Sequence, residues 1–139
     1  LAKILEAFVT RELRPWVPTF PPEFYERLYK LYELPWPPER ANARPGFFGH
    51  ITNNVIYDRL APSLLPELKA AASKAERKAR LHQFLTEDIG HPALRAHLHS
   101  IVTLLRIAKT PEQFFSMVDE AFPKFGTTGQ GQLDLVEKH

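Results

Sequence analysis

The sequence predicts an all-α fold, a compact single-domain helical bundle of about six to seven helices, and three observations carry that expectation. Apolar residues recur at three- and four-residue spacing in nearly every segment between proline breaks. No stretch in the body of the chain alternates apolar and polar residues with the period of two that a half-buried strand needs. The most apolar segment places Leu94, Leu98, Ile101, Val102, Leu105 and Ala108 on one helical face, and Leu104 and Ile107 widen that stripe until little of the last two turns is polar. Such a helix belongs in the middle of a bundle.

Taken in order, residues 3–14 put Ile4, Leu5, Phe8, Val9 and Leu13 near one face, an amphipathic helix ended by Pro15 and Pro18. Residues 14–22 form an extended connector, since each proline biases the residue before it away from helix, and Trp16 and Phe20 are expected to lie on the core. A second helix from Pro22 to Glu33 carries Phe24, Leu28 and Leu31, with Tyr25, Tyr29 and Tyr32 as a half-buried row beside them. The prolines around Trp36 end it, and Glu39 to Gly49 reads as a loop. The third helix is expected over Ile51 to Leu60, with Thr52 as N-cap, Ile51, Val55, Ile56 and Leu60 inward, and Asn53, Asn54, Asp58 and Arg59 outward. Pro62 opens a short helix to Ala72, and Lys74 to Leu85 is predicted helical with its cations toward solvent. Gly90-His91-Pro92 marks the start of the central helix, glycine suiting the end of the preceding turn and proline the first helical turn. Thr110-Pro111-Glu112-Gln113 has the pattern of a capping box for a last helix with Phe114, Phe115, Val118, Ala121 and Phe122. Residues 126–139, rich in Gly, Thr and Gln, read as a flexible C-terminal tail outside a helical domain of residues 1–125.

Composition sets limits on function. The chain of 139 residues suits one domain and is short for two. No apolar run approaches the roughly 20 residues of a membrane helix, so no membrane partner and a cytoplasmic location are expected. Having no cysteine, it has neither disulfides nor any thiolate-based site. The first residue is Leu and no basic-then-apolar leader precedes it, which reads as a domain cut from a longer chain.

The runs His82 to Leu98 (HQFLTEDIGHPALRAHL), Leu13 to Tyr29 (LRPWVPTFPPEFYERLY) and Thr52 to Pro62 (TNNVIYDRLAP) resemble a small family, the bacteriophage p-sixty-three C-terminal domain, named for a myxobacterial phage protein. The resemblance runs in the same order from about Leu13 to Phe122, and its most specific part is the L-T-E-D-I-G-H-P-x-L run. It implies a phage or prophage setting near the end of a longer protein. It carries no established activity and so no catalytic residues.

Three chemistries remain to weigh. From Lys69 to His82 five cations (Lys69, Lys74, Arg77, Lys78 and Arg80) face Glu76 alone, a local excess that matters more than the formal net charge of +2. Lys74, Arg77, Lys78 and Arg80 are therefore the expected phosphate contacts of a non-enzymatic module binding DNA or RNA, supported by Arg40, Arg44, Arg95 and Arg106. The bland alternative is an ordinary solvated face. Tyr25, Tyr29, Tyr32 and Trp36 form the expected interface of the second reading, a protein-interaction or homo-oligomerisation module, though aromatic rows at helical spacing are more often core. Third, His82, Glu87, Asp88 and His91 have the donor types for a divalent metal and a metal-dependent enzyme, although the spacing is no known signature. The alternative there is that Asp88 and Thr86 cap the turn, Glu87 pairs with Arg80 or Arg95, and His82 and His91 hydrogen-bond across the corner. No serine sits in a nucleophile elbow and no glycine loop is built for phosphate, so catalytic residues and cofactors are expected to be none.

Overall fold

The computed structural model describes residues 2–10, 12–15, 17–38, 45–74 and 80–125. Among them the chain forms α1 (Ala2–Phe8), α2 (Pro22–Leu31), α3 (Phe47–Val55), α4 (Leu64–Ser73), α5 (Gly90–Ile107) and α6 (Pro111–Ala121), with 3-10 turns at Tyr57–Arg59 and Leu81–Phe84. The described residues hold no sheet, only an isolated antiparallel bridge of Val9 with Leu85. The domain is all-α, as its periodicity implies.

The long helix α5 is central because its apolar stripe is covered on several sides, chiefly by α2 and further by α6 and α1. Leu94, Leu98, Ile101, Val102 and Leu105 are buried and join Phe24 and Leu28 of α2 and Phe114 and Val118 of α6 in one core. Each such side chain contributes roughly 1.5–3 kcal/mol by leaving water. The stripe is narrower than its sequence suggests: Ile107 stays 58% exposed, because α5 ends there and no helix covers its last turn on that side.

Helix α1 ends at Phe8, six residues short of the expected Arg14. The reason is backbone pairing with a distant segment. Thr10 N–H donates to the Phe84 carbonyl at 2.8 Å, Arg14 N–H to the Gln83 carbonyl at 2.9 Å, and Thr86 N–H to the Phe8 carbonyl at 2.8 Å. Gln83 adds its side-chain amide to the Arg14 carbonyl at 3.0 Å. Extended pairing satisfies these groups as well as another helical turn would, and it still lays Leu13 against the core.

Thr86 and Gly90 form the corner where this strap meets α5. The Thr86 hydroxyl donates to the Ala7 carbonyl at the end of α1 and accepts from the Gly90 N–H at 2.8 Å, while its own carbonyl accepts from His91 N–H at 2.8 Å. Two orphan ends of helices are thereby closed by one side chain. Gly90 is needed for space: a Cβ there would collide with the Phe8 carbonyl oxygen and press on the Leu85 side chain.

Four further departures from the sequence reading have local causes. Helix α3 starts at Phe47, inside the expected loop, because Phe48 is an apolar anchor that reaches the core; Thr52 consequently lies within the helix and donates to the Phe48 carbonyl at 2.8 Å instead of capping. Arg59, expected outward, is 6% exposed and fully engaged: it donates to the Asn54 carbonyl and Oδ1 and to the Phe122 carbonyl, and pairs with Asp119 at 2.7 Å. A helix through Lys74 to Leu85 does not form over its last residues, where Leu81–Phe84 is a 3-10 turn whose Arg80 N–H is held by Gln83 Oε1 at 2.8 Å; residues 75–79 lie outside the described set. At α6, Thr110 Oγ1 accepts from Gln113 N–H as expected, but the Gln113 side chain accepts from Lys109 N–H at 2.7 Å rather than from the cap itself. Trp16, residues 39–44 and the expected tail 126–139 also lie outside the described residues.

Helix α2 closes on Glu33 at φ 57°, with Leu34 N–H on the Tyr29 carbonyl and Glu33 N–H on the Lys30 carbonyl, the paired bonds of a Schellman end. A left-handed non-glycine residue there costs about 1 kcal/mol. Glu33→Gly is expected to raise stability by about that much, read as a higher urea midpoint; a lower midpoint would contradict the left-handed conformation. Gly90→Ala is expected to cost about 2–3 kcal/mol in the same measurement, because the clash is with backbone that cannot rotate away. An unchanged midpoint would contradict the close approach of Phe8.

Candidate functional site

The strap that stops α1 also sets the Leu81–Phe84 turn, and that turn presents His82 to two clefts. The larger, about 430 Å³, lies between the connector before α2, the outer face of α3 and the turn itself. Its chemistry comes from Phe20, Tyr25, Asn53, Tyr57, Arg80 and His82. Phe20 lies 6.3 Å from the Tyr25 ring and 6.2 Å from the His82 ring, centre to centre, so the three form an aromatic wall. Tyr57 is buried at the base, and burial pushes its phenol above the ordinary range, Tyr25 adding to the effect and Arg80 opposing it. Asn53 lines the opposite side, half-buried, its amide bonded to no described residue.

His82 is 7% exposed. Its ring bonds no described residue, yet no described buried side-chain nitrogen or oxygen is sealed off without a partner, so the ring nitrogens meet solvent in the clefts. Burial first, then His91 and Arg80, holds its pKa down to about 4. It is a neutral imidazole at pH 7, offering one donor and one acceptor.

The smaller cleft, about 300 Å³, lies on the other side of His82 and is lined by Arg14, Glu87, His91 and Arg95 among others. Here the expected metal set comes apart. The His82 and His91 rings are 6.4 Å apart, but Glu87 turns away to pair with Arg14 at 2.7 Å and Asp88 faces solvent. Among the described residues no three histidine, aspartate or glutamate side chains are grouped to hold a metal ion, and His82, Glu87, Asp88 and His91 are not brought together as a set. His91 instead meets Thr19 Oγ1 at 3.1 Å; that hydroxyl donates to the Val17 carbonyl, so it accepts from His91 Nε2–H. Burial, Arg95 and Arg14 lower the His91 pKa. Thr86 caps the corner as the alternative reading held, but Glu87 takes Arg14 rather than Arg80 or Arg95.

Of the expected phosphate contacts, Lys74 and Arg80 are exposed, and Arg77 and Lys78 lie outside the described residues, as do Arg40 and Arg44. Arg95 is exposed, whereas Arg106 is held by both carboxylate oxygens of Glu23 at 2.6 and 2.7 Å. The tyrosine row is not one surface. Tyr29 is buried between Trp36 and Phe48, Tyr32 packs on Phe47, and Tyr25 turns to the large cleft; only Trp36, at 39%, is substantially exposed. Sequence reasoning missed Asn53 and Tyr57. Asn53 ends its side chain in the cleft from α3 and Tyr57 from the 3-10 turn that follows, and no local pattern in the sequence marks the two as lining one cavity.

Fold and clefts together define a small all-α domain whose most elaborated feature is an aromatic cleft with a neutral histidine and an arginine at its edge. The chain belongs to the P-sixty-three-C domain family, whose model matches residues 4–94. That match takes in α1, the Thr86–Gly90 corner and the larger cleft, and it stops one turn into α5, earlier than the resemblance to Phe122 implied. Searches of curated proteins and of solved structures returned no match. No helix among the described residues is long and apolar enough to cross a membrane.

Three histidines, His82, His91 and His97, carry lowered pKa values, in each case chiefly through burial. Unfolded histidines take up protons near pH 6.5, whereas folded His82 does so near pH 4, so the unfolded state binds more protons between those values. Stability is therefore full above pH 6.5 and falls on acidification, by about 2 kcal/mol at pH 5 from His82 alone. Melting at pH 7 and pH 5 should show that drop and its shrinkage in His82→Leu; an equal drop in the variant would contradict the assignment.

Proposed function

We propose that this domain is a non-enzymatic nucleic-acid-binding module of phage or prophage type acting in the cytoplasm, with Lys74, Arg77, Lys78 and Arg80 on phosphate. One observation carries the reading: the division of cations over the surface. Arg14, Arg27, Arg59 and Arg106 are each held by a carboxylate, while Lys69, Lys74, Arg80 and Arg95 form no ion pair with a described residue. Cations left without a carboxylate partner attract phosphate without desolvating an existing pair. Arg80 adds a local feature, since it stands exposed at the edge of the aromatic cleft.

A second reading, protein contact or self-association, is favoured by Trp36 and Phe47, 39% and 42% exposed on the edge formed by α2 and α3. Exposed aromatics of this kind anchor interfaces.

Fluorescence anisotropy of labelled duplex DNA, single-stranded DNA and RNA, across a salt series, separates the two. Binding is expected to weaken steeply with salt, and the Arg77→Glu/Lys78→Glu and Lys74→Glu/Arg80→Glu pairs are each expected to weaken it at least tenfold and flatten the salt slope. Unchanged binding in both pairs, or no binding at low salt, would reject the phosphate reading. Light scattering on the same samples reads self-association directly.

A further inference from the structure

We propose that the larger cleft holds one unstacked base of a single-stranded nucleic acid, with Arg80 on the adjoining phosphate. This deepens the nucleic-acid reading above and rests on it. The cleft, about 430 Å³, is in the size range of small-ligand pockets and is far too narrow for a base pair still stacked in a duplex. An occupant must be offered singly, from a single strand or from a flipped position.

The lining argues for a heteroaromatic occupant. Phe20 and Tyr25 supply ring faces for stacking, which tolerates any base because every base has a π-face. An aliphatic chain would be satisfied by the rings alone, and this cleft has more than rings. Asn53 brings an amide donor and acceptor, bonded to no described residue. His82, more than nine-tenths buried and equally unbonded through its ring, brings one ring nitrogen, a donor or an acceptor according to its tautomer. Paired donors and acceptors beside stacking faces match the hydrogen-bonding edge of a base. Its lowered pKa keeps His82 in the neutral form, whose ring can present either a donor or an acceptor; a protonated ring would only donate. Arg80, exposed where the cleft opens, suits the phosphate of the same nucleotide. No described carboxylate lines the cleft to repel it.

The test uses the whole chain and three oligonucleotides of equal phosphate number: a single strand carrying one 2-aminopurine, a duplex, and a strand with abasic sites. The single strand is expected to bind at least tenfold tighter than the duplex or the abasic strand, with at least a twofold change in 2-aminopurine emission. Asn53→Ala, a half-buried position on α3 that tolerates alanine, is expected to lose at least fivefold for the single strand with the salt slope unchanged, and Arg80→Glu to lower the slope. Equal binding of all three oligonucleotides without an emission change would overturn the base-in-cleft proposal and leave phosphate contact standing. Absence of binding to any of them would overturn both. The abasic comparison needs no variant, so the proposal stays testable if Asn53→Ala does not fold.

Discussion

The hydroxyl of Thr86 is used in both directions, donating to the last turn of α1 and accepting from the first turn of α5, and most of the architecture follows from that double bond. Each hydrogen bond is worth only about 1 kcal/mol net, but a buried carbonyl or amide left unpaired costs about 1–3 kcal/mol, so the corner is held more by what its loss would expose than by what it gains. Gly90 lets the two helix ends approach closely enough for the bonds to form. With α1 tied there, Thr10 and Arg14 bond back to the Phe84 and Gln83 carbonyls, and these backbone bonds hold the Leu81–Phe84 turn in place. His82 owes its position between two clefts to this strap rather than to any hydrogen bond of its own ring to a described residue.

The polar interior of the domain follows one rule with two outcomes. Arg59 keeps its charge inside by meeting a carboxylate, two carbonyls and an amide oxygen at once. His82, His91 and His97 meet no carboxylate among the described residues and are held toward the neutral form. His97 illustrates this: it bonds the Val55 carbonyl at 2.7 Å, which favours its proton, yet burial still lowers its pKa overall. Neutral histidine and engaged arginine both avoid an uncompensated buried charge. On the surface some cations, such as Arg14 and Arg106, are matched by carboxylates, while others, among them Lys69, Lys74, Arg80 and Arg95, pair with no described residue.

Much of the helical content was legible in the sequence because local signals and burial agree there. Leu94, Leu98, Ile101, Val102 and Leu105 of α5 are buried, α2 starts at Pro22 and Thr110 caps α6 through Gln113 N–H, each as read. The failures share a cause. The stretches around Thr10 to Arg14 and Arg80 to Leu85 have helical periodicity, but the Thr10 and Arg14 N–H groups bond the Phe84 and Gln83 carbonyls across roughly seventy positions, which no local pattern reveals. Arg59 reads as surface because its partners Asp119 and Phe122 come from the far end of the chain. At the histidine corner, the spacing of Glu87 and His91 could not show that Arg14 would take the carboxylate. Asn53 and Tyr57 became visible as cleft residues only once the turn bearing His82 was placed opposite them.

The neutral His82 and one unmatched cation, Arg80, meet at the larger cleft, and the central claim is that a nucleic-acid base enters it. Nuclear Overhauser contacts between a bound single-stranded dinucleotide and the protein address that claim most directly. The account predicts contacts from base protons to the rings of Tyr25 and His82 and the amide of Asn53. Contacts confined to sugar protons and the side chains of Lys74 and Arg80, with none from a base to the cleft, would contradict it.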